Sequence, residues 1–227
     1  MFYLGYDEPI ETWNPVVGCN HNCLYCWGRR QAKRLKHKCN KCYSFEPHLH
    51  EERLKRRFRS GSIVFVSSMA DLFGKWVPDE WIVKVLEVVE LNPWATFFFE
   101  TKNPSRYWEF LGRFPSNVIL STTIETNRTD YTELISKAPS TLDRYLAFAE
   151  ISSKQFNKHV SIEPIMDFDL TVMTYMMYKI HPWKVSMGYD NYGVLKWCGI
   201  PEPDGFKYNA LKAKLMAFTD VEDKSKA

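Results

Sequence analysis

Short runs of β-branched and aromatic residues recur along this chain, each separated from the next by a longer stretch of helical character. Ser62–Ser68, Ala95–Glu100, Val118–Ile124, His159–Ile165 and Lys184–Met187 are such runs, preceded by a short extended segment from Thr12 to Gly18. Residues 79–91 follow Pro78 with Asp79 placed as a cap, and repeat apolar side chains at Ile82, Val85, Leu86 and Val89, the spacing of one helix face. Residues 105–112 read as a short helix closed by Gly112, residues 140–149 as a helix with Ser140 and Thr141 as cap candidates, and residues 207–217 as a last helix. Strand alternating with helix through short connections specifies parallel βα units. Six strands, at about 12–18, 62–68, 95–100, 118–124, 159–165 and 184–188, are too few for a closed eight-fold barrel. The expected fold class is therefore α/β: a partial six-unit (β/α) barrel with parallel strands, over residues 1–218, with a flexible tail at 219–227. In such sheets the chemistry gathers at the C-terminal ends of the strands.

An aromatic share of 15% in 227 residues excludes intrinsic disorder for most of the chain. The longest apolar runs, Ile63–Val66 and Thr96–Phe99, fall far short of the roughly 20 residues of a membrane helix, so no membrane partner is expected. Nothing at the start reads as a signal peptide. The expectation is a cytoplasmic protein whose thiols stay reduced. Charge is unevenly spread. Residues 29–60 hold twelve Lys/Arg against Glu46, Glu51 and Glu52, whereas the rest of the chain has an acidic excess. That segment reads either as a solvated helical face or as a basic insertion that meets nucleic acid or another phosphate-rich partner.

Five of the six cysteines fall between Cys19 and Cys42. In a reducing compartment such crowding indicates metal before disulfide. The first three are spaced Cys19-x3-Cys23-x2-Cys26. Thiolate is the usual protein ligand of iron–sulfur clusters. Three of them on a four-iron cubane leave one iron open, unlike the four-cysteine sites of ferredoxins or the closed sites of structural zinc.

The run Gly18-Cys19-Asn20-His21-Asn22-Cys23-Leu24-Tyr25-Cys26 resembles the CxxxCxΦC signature of the radical SAM superfamily, with Tyr25 as the aromatic Φ, in the loop after the first strand. The match is to its compact photolyase-like and phage-protein-like members, the relatives of spore photoproduct lyase, and it runs over roughly residues 12–200. The resemblance implies a [4Fe-4S] cluster on Cys19, Cys23 and Cys26. Its open iron would chelate S-adenosylmethionine, and reductive cleavage would give a 5′-deoxyadenosyl radical that abstracts hydrogen from a substrate. It also implies a one-electron donor such as flavodoxin or ferredoxin.

The same resemblance assigns roles at the strand ends. Ser67 and Ser68 stand where many members carry a Gly-rich segment against the cofactor's amino group; the glycine-glycine-glutamate form is absent here. Lys102 matches a lysine that holds the cofactor's carboxylate, with a salt bridge at the rim as its plain structural reading. Thr122, Thr123 and Glu125 suit the ribose and amino-acid end, although Glu125 could equally pair with Lys102. Glu163 precedes a proline and is expected at the barrel mouth, Ile162 or Ile165 packs on adenine, and Met187 closes the sixth strand. Asp190 and Asn191 are candidate substrate contacts, whereas His21 reads as a solvent-side loop residue and Cys198 as an inert buried thiol.

Cys39 and Cys42, followed by His48 and His50, form a second metal candidate that could bind zinc, join a second cluster or ligate nothing. The His-x-His spacing is not that of a finger helix. Two other functions compete: a zinc-stabilised nucleic-acid-binding module without catalysis, and an iron–sulfur electron carrier. Both leave Lys102, Thr123 and Glu163 at the strand ends unexplained. The basic segment tilts the substrate toward nucleic acid or nucleotide.

Overall fold

The computed structural model describes residues 10–225. Seven strands form one sheet in the order β1-β4-β5-β6-β7-β8-β9, and β2 and β3 form a separate antiparallel pair. The chain divides into two compact units, residues 1–22 with 26–119, and residues 23–25 with 120–227.

In the first unit β1 (Glu11–Trp13) ends at Asn14-Pro15, and the chain re-enters extended structure only as β2 (Val16–Val17). The single strand expected at 12–18 is thus two strands in different sheets. Asn14 causes the break: its Oδ1 accepts from the Met69 amide at 2.9 Å and the Ser68 hydroxyl at 3.2 Å. Two short helices follow, α1 (Trp27–Ala32) and α2 (Asn40–Ser44), and then β3 (His48–Leu49), which returns to pair with β2. Strand β4 (Ile63–Val66) lies parallel to β1 and to β5 (Thr96–Thr101), with Trp13 opposite Val66 and Val66 opposite Phe99. Between them α3 (Asp79–Glu90) buries Ile82, Val85, Leu86, Val88 and Val89, and places Asp79 and Glu80 in its first turn, where carboxylates favour the helix dipole. The core is aromatic: Trp13, Phe58 and Phe97 meet edge to face, as do Phe73 and Tyr107. The segment Pro104–Arg113 is 3-10 helix.

Strand β6 (Val118–Thr123) has every residue buried, as in a parallel sheet covered on both faces. In the second unit α4 (Thr129–Ile135) and α5 (Thr141–Ala149) precede β7 (Asn157–Ile162), which stops at Ile162 and not at Ile165 because Pro164 has no amide to donate. Helix α6 (Leu170–Ile180) leads to β8 (Lys184–Met187), which is parallel to β7. Helices α7 (Val194–Trp197) and α8 (Gly205–Leu215) precede β9 (Asp220–Asp223). Side chains cap three of these helices: Ser140 on α5, Asp169 on α6 and Asp204 on α8. Strand β9 corrects the sequence reading, which put residues 219–227 in a flexible tail. It lies parallel to β8, and Asp223 is held by Tyr208 and Lys212. The last two residues of that tail lie outside the described residues.

Candidate active site and metal centre

The loop after β2 is held from both sides within the first unit. Gly18 adopts φ +95°, donates its amide to the Met69 carbonyl at 2.9 Å and bridges to Ala70. A Cβ there would lie 2.3 Å from the carbonyl carbon and oxygen of Glu46, so only glycine lets the two backbones pass. Cys19 begins the loop, and Cys26 ends it as the cap of α1, its thiol accepting the Arg29 amide at 3.3 Å. The Arg29 guanidinium donates to the Cys19 carbonyl at 3.1 Å and lies over Phe45. One arginine thus fixes both ends of the cysteine run.

His21 is not a solvent-side residue. It is buried, and its Nε2 meets the Asp71 carboxylate at 2.7 Å. Asp71 also accepts the Thr101 hydroxyl at 2.6 Å, the Lys102 amide at 2.8 Å and the Phe73 amide at 3.1 Å. Burial alone would raise this carboxyl's pKa. The His21 contact, with Thr101 and the Lys102 amide, outweighs burial and holds it below its ordinary value. A single buried carboxylate therefore ties the cysteine loop to the end of β5, where Lys102 stands half-buried. Ser67, at the end of β4, is buried at φ +55° and its hydroxyl has no hydrogen-bond partner. Ser68 is spent on Asn14.

In the second unit the segment 23–25 docks on the end of α4: the Leu24 amide donates to the Ile135 carbonyl at 2.9 Å, and the Cys23 sulfur lies 3.1 Å from the Ser136 hydroxyl. Tyr25 packs with Ile135, Met166, Leu195 and Ile200, with Cys198 half-buried at the edge of the same cluster. The Tyr25 hydroxyl donates to Glu125 at 2.7 Å, and burial, followed by the Glu125 charge, pushes its pKa well up. Glu125 is wholly buried and binds Arg144 at 2.8 Å. Arg144 also donates to the Thr123 carbonyl and hydroxyl, both at 3.0 Å, and its second terminal nitrogen is buried without a partner. Thr122 lies buried beside Thr123.

Glu163 is half-buried and pairs with Lys224 at 2.9 Å, and Gly188 passes close to its Cγ. Ile162, Ile165 and Met187 are buried. Asp190 caps the turn into α7 through the Tyr192 and Leu195 amides. A chain that sequence reasoning missed runs from buried Ser121, His159 and Ser186 to half-buried Glu222, with contacts of 2.8, 2.9 and 2.7 Å. Burial, followed by the Lys224 and Lys184 charges, drives the His159 pKa well down.

The second cysteine pair meets both histidines. The ligand atoms of Cys39, Cys42, His48 and His50 lie within 4.8 Å of one another, and among the described residues they are the group close enough to hold a single ion. His50 and His48 project from the same side of the β3 segment because residues two apart share a face. None of the six cysteines is in a disulfide.

The thiols of the first loop are of the kind that ligates iron–sulfur clusters: in the first unit Cys19 and Cys26 are outside any disulfide, the Arg29 amide is directed at the Cys26 sulfur, and Gly18 lines the entry. No helix of the described residues is long and apolar enough to cross a membrane.

The fold is similar to that of spore photoproduct lyase complexed with dinucleoside spore photoproduct, with a TM-score of 0.62 and 10% identity over 93% of this chain and 75% of the other. A spore photoproduct lyase variant with bound AdoMet and dinucleoside spore photoproduct gives 0.60 at 9% identity, with the same coverage. A radical SAM methyltransferase from Sphaerobacter thermophilus gives 0.57 at 11% identity, over 95% of this chain and 65% of that one. At such identities the likeness is one of fold, and the mostly parallel α/β sheet is that of the radical SAM partial barrel. No curated protein matches the chain by sequence. Residues 8–176, well over half the chain, match the family described as "Protein of unknown function (DUF5131)", and the chain belongs to that family.

Proposed function

We propose that this protein is a radical SAM enzyme in which Cys19, Cys23 and Cys26 hold a [4Fe-4S] cluster beside a site for S-adenosylmethionine. The observation that carries the reading is the CxxxCxYC run on the loop leaving the first strands of a fold shared with radical SAM enzymes over 93% of the chain. The bound cofactors would supply a 5′-deoxyadenosyl radical for hydrogen abstraction.

The chain's own residues have distinct tasks. Arg29 fixes the two ends of the cysteine run, and Asp71, through His21 and the Lys102 amide, sets the loop against the end of β5. Lys102 offers a compact positive charge to the cofactor's carboxylate. Ser67 offers its unsatisfied hydroxyl to the amino end, with Ser68 shaping the turn. Thr122 and Thr123 serve the ribose. Glu125 and Tyr25 act as positioning residues: with Arg144 they hold the segment that carries Cys23. Glu163, braced by Lys224, and Met187 border the adenine side.

A soluble one-electron donor, flavodoxin or ferredoxin, reduces the cluster in the cytoplasm. The exposed lysines and arginines of residues 29–60 favour a nucleic-acid or nucleotide substrate over a peptide. The kinship is with compact photolyase-like and phage-protein-like members of the superfamily. The test is deoxyadenosine release by the anaerobically reconstituted protein under reductant, with and without oligonucleotide. Release that oligonucleotide stimulates, and that salt suppresses steeply, supports the reading. A colourless protein that releases none refutes it.

A further inference from the structure

The pairing of β2 with β3 places residues 39–50 directly against the entry of the cysteine loop. His50 donates its amide to the Pro15 carbonyl at 2.7 Å, Val17 stands opposite His48, and the Glu46 carbonyl occupies the space a Gly18 side chain would need. We propose that Cys39, Cys42, His48 and His50 bind one zinc ion, and that this ion braces the entry to the Cys19 loop.

The sulfur–nitrogen edges of the four ligand atoms match those of a tetrahedral zinc site. Bonds of about 2.3 Å to sulfur and about 2.0 Å to nitrogen set tetrahedral S···N edges near ~3.5 Å. Both sulfurs lie 3.5 Å from His48 Nε2, and the Cys42 sulfur lies 3.2 Å from His50 Nε2. The tautomers agree. His48 Nδ1 donates to the Glu46 carbonyl at 2.7 Å, and His50 Nδ1 donates to the Glu52 carboxylate at 2.8 Å. Both Nε2 atoms therefore present lone pairs to each other at 2.9 Å, an arrangement a shared cation stabilises. Carbonyl and carboxylate partners behind metal-bound imidazoles are the usual outer support of zinc. The Cys42 amide donates to the Cys39 sulfur at 3.4 Å. Two thiolates neutralise a divalent ion, and binding releases their two protons to solvent. All four protein ligands are supplied, so the site is closed and structural.

The zinc site and the iron–sulfur cluster use different residues, so its test does not depend on S-adenosylmethionine. The protein is purified without added metal, its metals are counted by elemental mass spectrometry, and hydrogen exchange is followed before and after chelation. Expected are about one zinc per chain, loss of zinc in C42S, and its retention in C23A. Cobalt exchanged into the wild type gives the absorbance of a tetrahedral S2N2 centre. Chelation of the wild type, which needs no variant to fold, speeds exchange of the His50 amide and of residues 16–18 at least tenfold. A zinc-free chain, or iron in place of zinc that C42S removes, overturns the site. Unchanged exchange after zinc removal overturns the brace.

Discussion

Replacing Asp71 with Asn removes the charge that joins the cysteine loop to the end of β5 and keeps its shape. The carboxylate accepts on both oxygens: His21 Nε2 and the Lys102 amide on one, the Thr101 hydroxyl and the Phe73 amide on the other. An Asn side chain must turn its NH2 toward one of these sets. His21 can change tautomer and Thr101 can rotate, but a backbone amide cannot become an acceptor. Either orientation therefore leaves one buried amide, that of Lys102 or of Phe73, facing a donor. An unsatisfied buried group costs about 1–3 kcal/mol, and a charge-assisted bond is lost besides. A loss of about 2–3 kcal/mol follows, which in a chain of this size lowers Tm by about 4–12 °C. Thermal unfolding followed by circular dichroism at neutral pH reads it. The pH dependence has a definite sign. The folded Asp71 carboxyl titrates below its unfolded value of about 3.9, so its contribution is full above that pH and disappears as pH falls through the lower folded value. The gap between wild type and D71N should therefore narrow as pH falls below about 4. A Tm within about 2 °C of wild type at neutral pH would refute the assignment of Asp71 as the tie, since ~1 kcal/mol already shifts a chain of this length that far.

Three further outcomes are expected. Arg144→Met strands the wholly buried Glu125 charge and should cost about 3–5 kcal/mol in urea unfolding, with E125Q in the same chain recovering part of the loss; no recovery would count against the pair. Gly18→Ala forces φ +95° on a side chain that overlaps Glu46, costing about 1–3 kcal/mol from the backbone alone, so urea midpoints equal to wild type would contradict the close crossing. Lys102→Ala should weaken S-adenosylmethionine binding in equilibrium dialysis about ten-fold or more, because a charged hydrogen bond is worth about 1.5–3 kcal/mol; equal affinity would remove Lys102 from the cofactor site.

The strands that could be read from sequence are those buried on both faces. Phe97, Phe98 and Phe99 in β5 and the Val118-Ile119-Leu120 start of β6 suit a covered parallel sheet. Strand β9 was invisible for the opposite reason. Its sequence is Asp-Val-Glu-Asp and half-exposed, and its place comes from Tyr208, Lys212 and Ser186, none of them local to it. The CxxxCxYC run was conspicuous because its three cysteines sit in one loop. The meeting of Cys39 and Cys42 with His48 and His50 was harder to read, since the two histidines have strand spacing and not helix spacing, and the pairing of β2 with β3 decides where they point. Asp71, His21 and Arg144 escaped because their partners lie 19 to 50 residues away. A signal existed for Arg144: it shares the buried face of α5 with Thr141 and Phe148, where a charge requires a partner. The salt bridge of Glu163 to Lys224 was not legible because Lys224 follows β9, the strand the sequence concealed.

The most direct test of the whole account is to reconstitute the wild type and C23A anaerobically with iron and sulfide, add S-adenosylmethionine and a strong reductant, and measure 5′-deoxyadenosine by mass spectrometry. The wild type should turn brown and release the nucleoside, while C23A does neither and still keeps its fold. Nucleoside release from C23A equal to wild type, or a fully loaded wild-type cluster that releases none, would contradict it.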